Sequence, residues 1–253
     1  MEANFGAALL LSTLAGLSTT LGSLAGIFFR EPGSRFMSLT LGFSAGVMLL
    51  LSFMELLAGG IAAVGFVPAY VAFFVGLVVM LLLDVAIPHQ YMAEDGSSEG
   101  RDASLGRTAV LVALGIAVHN FPEGMATMTG ALQDLSLGAA IALAIALHNI
   151  PEGLAVSVPI YAATGSRAKA FLWSFLAGVA EPVGAAVAAV VLLPFLNGAV
   201  LGLLLSAVAG VMVFISLDEL VPVSRSFGEA HLSIVGVLFG MAVMVLSLWV
   251  IKW

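Results

Sequence analysis

The chain has 253 residues, of which 61% are hydrophobic and 9% charged, and it contains no cysteine. A soluble domain carries about 25% charged residues, so too little charge remains here for a water-facing surface, and the class is a polytopic helical membrane protein. Disulfides and thiolate metal sites are excluded, which argues against a dedicated copper(I) carrier. No basic run suggests nucleic acid, and much of the net charge of −7 belongs to acids inside apolar segments.

Spanning a bilayer takes about 20 apolar residues. Eight stretches qualify: 4–29, 36–60, 66–88, 107–130, 136–160, 169–194, 199–221 and 231–251. The first is too long for a cleaved signal and no basic residue precedes it, so it reads as a true helix. Glu31-Pro32-Gly33-Ser34 marks the turn into the second. Residues 89–106, polar and rich in Gly and Ser, read as a flexible cytoplasmic linker between three helices and five. The whole chain, 1–253, is expected to be one all-α transmembrane domain.

The basic residues set the orientation. Arg30, Arg35, Arg101, Arg107, Arg167, Lys169 and Arg225 all fall in or beside alternate loops, and Lys252 lies at the C-terminus. The positive-inside rule makes those loops cytoplasmic and both termini external, in a multi-pass protein of the plasma (inner) membrane. Small-xxx-small pairs at Gly22/Gly26, Gly42/Gly46 and Gly236/Gly240 allow close helix contact and make a homodimer plausible.

Nine ionisable residues lie inside or at the edge of the spans: Glu55, Asp84, His119, Glu123, His148, Glu152, Glu181, Asp218 and Glu219. No Lys or Arg lies deep in any span. A charge near the bilayer centre costs at least ~2.5–3.5 kcal/mol, so these carboxylates need protons or cations as partners. Asp218 and Glu219, near a helix end, read equally well as interfacial acids.

Residues 119–126 are His-Asn-Phe-Pro-Glu-Gly-Met-Ala and residues 148–155 are His-Asn-Ile-Pro-Glu-Gly-Leu-Ala. This is an internal repeat on two successive antiparallel helices, and a pseudo-twofold axis in the membrane plane would bring the copies face to face. His and Glu are four apart, Asn and Glu three apart, so each helix shows an imidazole, an amide and a carboxylate on one face. Pro122 and Pro151 each remove a helical hydrogen bond and should kink the helix at the motif. The pattern points to a divalent-metal site. It contains no His-Glu-x-x-His, so intramembrane protease chemistry lacks its main support.

These motifs resemble those of the ZIP family of metal-ion transporters, most closely its bacterial ZupT-like branch. Supporting segments are Leu-Gly-Phe-Ser-Ala-Gly-Val-Met in the second helix, Tyr-Ala-Ala-Thr-Gly-Ser after the fifth, Ala-Glu-Pro in the sixth and Ser-Leu-Asp-Glu-Leu-Val-Pro in the seventh. The resemblance implies eight helices in a 3+2+3 inverted-repeat arrangement and a two-metal centre between the fourth and fifth. His119, Glu123, His148 and Glu152 would hold one metal, with Met48 as a soft ligand. Asn120, Glu123, Asn149, Glu152 and Glu181 would hold the second. The expected activity is import of divalent cations, Zn2+ first with Cd2+, Fe2+, Mn2+ and Co2+ as candidates, and not an enzymatic reaction. No prosthetic group is expected; the partners are the metal and the lipid bilayer. Glu55, Asp84, His89, Asp218 and Glu219 are candidate pathway residues. An exporter, a metal-gated channel and an intramembrane metal-dependent hydrolase are the alternatives. Family members often carry a histidine-rich third loop, whereas this one offers only His89 with Glu94, Asp95, Glu99 and Asp102.

Overall fold

A computed structural model of the chain describes residues 2–28, 33–86, 117, 120–192 and 197–252. Every regular element among them is helical. α1 is Glu2–Phe28, α2 Ser34–Val64 and α3 Phe66–Ala86. α4 is described over residues 120–133. α5 is Leu135–Thr164, α6 Arg167–Leu192, α7 Gly198–Ser226 and α8 Ala230–Lys252. Seven of these are long and apolar enough to cross a membrane, in agreement with an all-helical integral membrane protein. The 89–106 linker lies outside the described residues.

Local chemistry sets several helix boundaries. Asp134 and Asn197 are N-caps whose side chains accept from the backbone N–H groups of Leu137 and Val200, at 3.0 and 2.9 Å. Gly65, at φ 84°, ends α2 in a conformation that side chains disfavour. α7 runs past its expected end at 221 because a π-helical segment, Ser216–Leu220, interrupts its ladder just before Pro222. The missing proline N–H therefore falls where the regular bonding is already broken. α2 carries a matching π segment, Ser52–Leu57. Each begins at a serine bonded to the carbonyl four residues back, Ser52 to Met48 and Ser216 to Met212, both at 2.7 Å. α5, in contrast, is helical through Pro151 without interruption.

Exposure is inside out relative to a soluble protein. Leu10, Val71, Phe74, Leu82, Phe239 and Trp249 are exposed, whereas Glu123, His148, Asn149, Glu152 and Glu181 are fully buried. α2 lies along α8, α3 along α7, and α1 along α5 and α6. The glycine pairs make these contacts. A Cβ at Gly42 or Gly46 would strike the backbone of Ser233 or Val237, and one at Gly236 or Gly240 that of Leu39 or Phe43. Gly22 lies against the backbone of Ile150 of α5 in the same way, and Gly26 against the side chains of Ser157 and Leu154. All three pairs are therefore used in contacts within the chain.

Candidate metal centre

The two copies of the motif lie on α4 and α5, joined by a turn at Asp134. Helical spacing puts Asn120 and Glu123 on one face of α4, and His148, Asn149 and Glu152 on one face of α5. Glycine at the next position lets each motif sit against a neighbouring backbone. Gly124 packs on the carbonyl of Glu181 in α6, and Gly153 on the carbonyl of Thr19 in α1.

The side chains then converge. Ligand atoms of Glu123, His148 and Glu152 lie within 4.8 Å of one another, and all three residues are buried. His148 Nδ1 is 3.1 Å from the carbonyl of Ala144. A carbonyl can only accept, so Nδ1 carries a proton. Nε2 faces Glu123 Oε1 at 3.0 Å, and either a proton or a cation must lie between them. The Nδ1 bond to a backbone carbonyl also fixes the ring, as outer-sphere partners do for metal-binding histidines.

The asparagines are oriented to the same end. Asn120 Nδ2 donates to the carbonyl of Ala177 at 3.1 Å, and Asn149 Nδ2 to that of Ala15 at 3.0 Å. Asn149 also donates to Glu181 Oε1, which ties the α6 carboxylate to α5. With their nitrogens committed outward, both amides keep their oxygens for the interior. Asn120 Oδ1, Asn149 Oδ1, Glu123 Oε2 and Glu181 Oε2 are buried and accept no hydrogen bond among the described residues. Buried acceptors without donors are costly. Here they form, with one imidazole, the oxygen-rich donor set that suits zinc and other borderline or hard divalent ions. The ion pair made by Arg35 with Glu229, at 3.2 Å, is at the surface and far along the chain from these acids.

Of the sequence-derived ligands, Glu123, His148 and Glu152 come together, Asn149 and Glu181 are joined by a hydrogen bond, Asn120 is buried on the same face of α4 as Glu123, and His119 lies outside the described residues, as does His89. Met48 is fully buried on α2, one turn from Ser44, whose hydroxyl donates to the His148 carbonyl at 3.2 Å. Glu55 and Glu219 are buried within the two π segments, Asp218 is exposed and Asp84 half-buried. None of these four belongs to the three-ligand group among the described residues. Sequence reasoning missed Ser44, the Ala15 and Ala177 carbonyls and Thr19. A signal existed in the short copies Ser12-Thr13-Leu14-Ala15-Gly16 and Ser174-Phe175-Leu176-Ala177-Gly178.

The sequence model of the ZIP zinc transporter family matches residues 88–248. The zinc transporter ZupT of Chlorobium luteolum is 49% identical, over 97% of this chain and 98% of its own length. That of Clostridium perfringens is 46% identical over 95% and 94%, and that of Streptococcus mutans 45% identical over 95% and 96%. With relatives this similar along nearly its whole length, and a family match across the helices that carry the buried carboxylates, the chain belongs to the ZIP family of zinc transporters.

Proposed function

We propose that the chain imports divalent metal cations into the cytoplasm, with zinc the principal cargo and Cd2+, Fe2+, Mn2+ and Co2+ as further candidates. As a member of a transporter family it is not an enzyme, and the metal is cargo. The observation that carries the reading is the buried Glu123, His148 and Glu152 group, with unpartnered oxygens of Asn120, Asn149 and Glu181 beside it. In this reading the centre between α4 and α5 holds two metals. His119, His148 and the two motif glutamates bind the first, with Met48. The two asparagines, the same glutamates and Glu181 bind the second.

The proposed architecture is eight spans in a 3+2+3 inverted repeat in the plasma membrane, both termini outside. Buried carboxylates without Lys or Arg favour a cation held from outside the chain. The metal would shed its water at the two motifs and leave past Asp84 and His89. Glu55, on the opposite face of the membrane from Glu219 in this topology, would stand on the outer approach.

The test is metal accumulation in zinc-starved cells lacking their own importers, with wild type compared to Glu123→Gln at equal membrane expression. Zinc should rise with wild type and not with the variant. A fall in cell zinc on expression of wild type would instead assign export, and normal uptake by the variant would remove the site. Flux far above carrier rates would assign a channel.

A further inference from the structure

We propose that Thr19 is an additional wall residue of the metal centre, presenting its hydroxyl to a metal-bound water on the α4 side at the place that Glu181 fills on the α5 side. This rests on the reading of the centre given above. The starting point is that α4 meets α6 through the same contacts by which α5 meets α1. Asn120 donates to the carbonyl of Ala177, and Asn149 to that of Ala15. Gly184 packs on the carbonyl of Phe121, and Gly22 on that of Ile150. Gly124 packs on the carbonyl of Glu181, and Gly153 on that of Thr19. Gly16 and Gly178, which end the two Leu-Ala-Gly copies, pack on each other's carbonyls. Three residues beyond those glycines stand Thr19 and Glu181, both fully buried.

Equivalent backbone contacts turn equivalent side chains the same way. Glu181 sits against α4 and reaches across to Asn149 on α5. Thr19 sits against α5, and the equivalent reach is toward Asn120 on α4. Among the described residues the Thr19 hydroxyl has no hydrogen-bond partner, and neither does Asn120 Oδ1. Helical threonines ordinarily bond the carbonyl one turn back, as Thr13 does to Leu9 at 2.7 Å and Thr129 to Met125 at 2.8 Å. For Thr19 that acceptor is the Ala15 carbonyl, which already receives Ser18 Oγ at 2.6 Å and Asn149 Nδ2 at 3.0 Å. The hydroxyl is left for the centre. Threonine is shorter than glutamate, so its oxygen approaches a cation through water rather than directly. The centre then has one anionic arm and one neutral arm at matched positions, and the half with the neutral arm should bind metal more weakly.

The experiment exchanges the arms. Full-length protein in lipid nanodiscs is titrated with zinc as wild type, Glu181→Thr, and the double exchange Thr19→Glu/Glu181→Thr, with metal-free melting as the folding control. Glu181→Thr should weaken zinc binding by about 10- to 100-fold, the scale on which lost partners of metal sites act. The exchange should regain at least about 10-fold of that loss. An exchange protein that melts like wild type and binds no better than Glu181→Thr overturns the inference. Should the exchange protein not fold, Thr19→Ser and Thr19→Val decide: serine keeps the hydroxyl and should keep affinity, valine keeps the shape and should lose it, and equal affinities overturn the inference. Wild type that binds no zinc, or Glu181→Thr that binds as wild type, overturns the centre itself.

Discussion

α1, α4, α5 and α6 meet through glycines together with asparagine, imidazole and carboxylate groups, whereas α2, α3, α7 and α8 meet through glycines and apolar side chains, with a reciprocal pair of buried serine bonds between Ser38 and Ser224. In the first set, asparagines bond carbonyls of neighbouring helices and carboxylates converge. In the second, Gly46 lies under Val237, Gly240 under Phe43, Gly210 under Phe73 and Gly76 under Ala207. Without a hydrophobic drive between helices in lipid, such close approach is a main source of association. All the proposed carboxylate, imidazole and amide ligands thus lie in the first set, whereas close association through glycine is common to both. Damage to one set should be separable from damage to the other.

The largest expected effect tests that separation at the centre. Glu152→Gln keeps the shape of a fully buried side chain and removes its charge. Zinc affinity should fall by more than about 100-fold, beyond the range seen for loss of outer-sphere partners. Metal-free melting should stay level or rise, because a buried charge has been removed. Zinc titration and thermal melting on the same preparation read both. Retained affinity, or loss of both properties together, would break the comparison.

A matched pair of glycine substitutions sharpens it. Gly124→Ala and Gly240→Ala each direct a methyl group at a neighbouring backbone, that of Glu181 and that of Phe43. Each should cost about 1–3 kcal/mol of stability, as overpacking does. Only Gly124→Ala should also weaken zinc binding, because the backbone it displaces carries a proposed ligand. Gly6→Ala, with nothing near the new methyl, is the neutral control. Equal zinc affinities for the two buried variants would show that the centre tolerates movement of α6.

The same division explains what the sequence disclosed. The His-Asn-x-Pro-Glu-Gly copies are long and nearly identical, and helical spacing alone puts their polar groups on one face, so the core of the site was legible. The α1 and α6 copies share only Leu-Ala-Gly and a serine, and the equivalent position three residues beyond the glycine is Thr19 in one and Glu181 in the other. Between Ser18 and Thr20 the Thr19 hydroxyl carries no signal of its own; packing against Gly153 is what marks it. The glycine pairs were visible as small-residue spacing, but which backbone they admit depends on the neighbouring helix. The π segments were hidden because the serine that opens each carries no distinct signal: Ser206 and Ser247 make the same bond one turn back within regular helix.

A smaller effect is expected from pH. Protons compete with metal for carboxylates and imidazole, so saturable uptake should slow as external pH falls from neutral to 5. The exposed turn should not contribute. Hydrogen bonds from Ser136 and the Leu137 backbone hold the Asp134 carboxyl below its ordinary value of 3.8. A depressed value stabilises above the unfolded pKa and is lost only as pH falls through the folded one, which lies below 3.8. Asp134→Asn should therefore leave the pH profile of uptake in place. A rise in uptake toward pH 5 would count against proton competition at the centre.

The smallest effect lies where the two sets of helices touch. Ser44 of α2 donates to the carbonyl of His148 in α5 at 3.2 Å, a bond from the glycine-packed set to the motif itself. If one set slides or rocks against the other during transport, this bond must break in each cycle. A bond of its type has a net worth of about 0.5–1.5 kcal/mol. Ser44→Ala should then raise the transport rate by about tenfold at most, since about 1.4 kcal/mol corresponds to a factor of ten. Equilibrium zinc affinity should not change, because the serine contributes to the carbonyl and not to the ligand atoms. Proteoliposome uptake under saturating zinc reads the rate, and titration reads the affinity. An unchanged rate would mean that α2 and α5 stay joined at this point throughout transport, and that any sliding surface lies elsewhere.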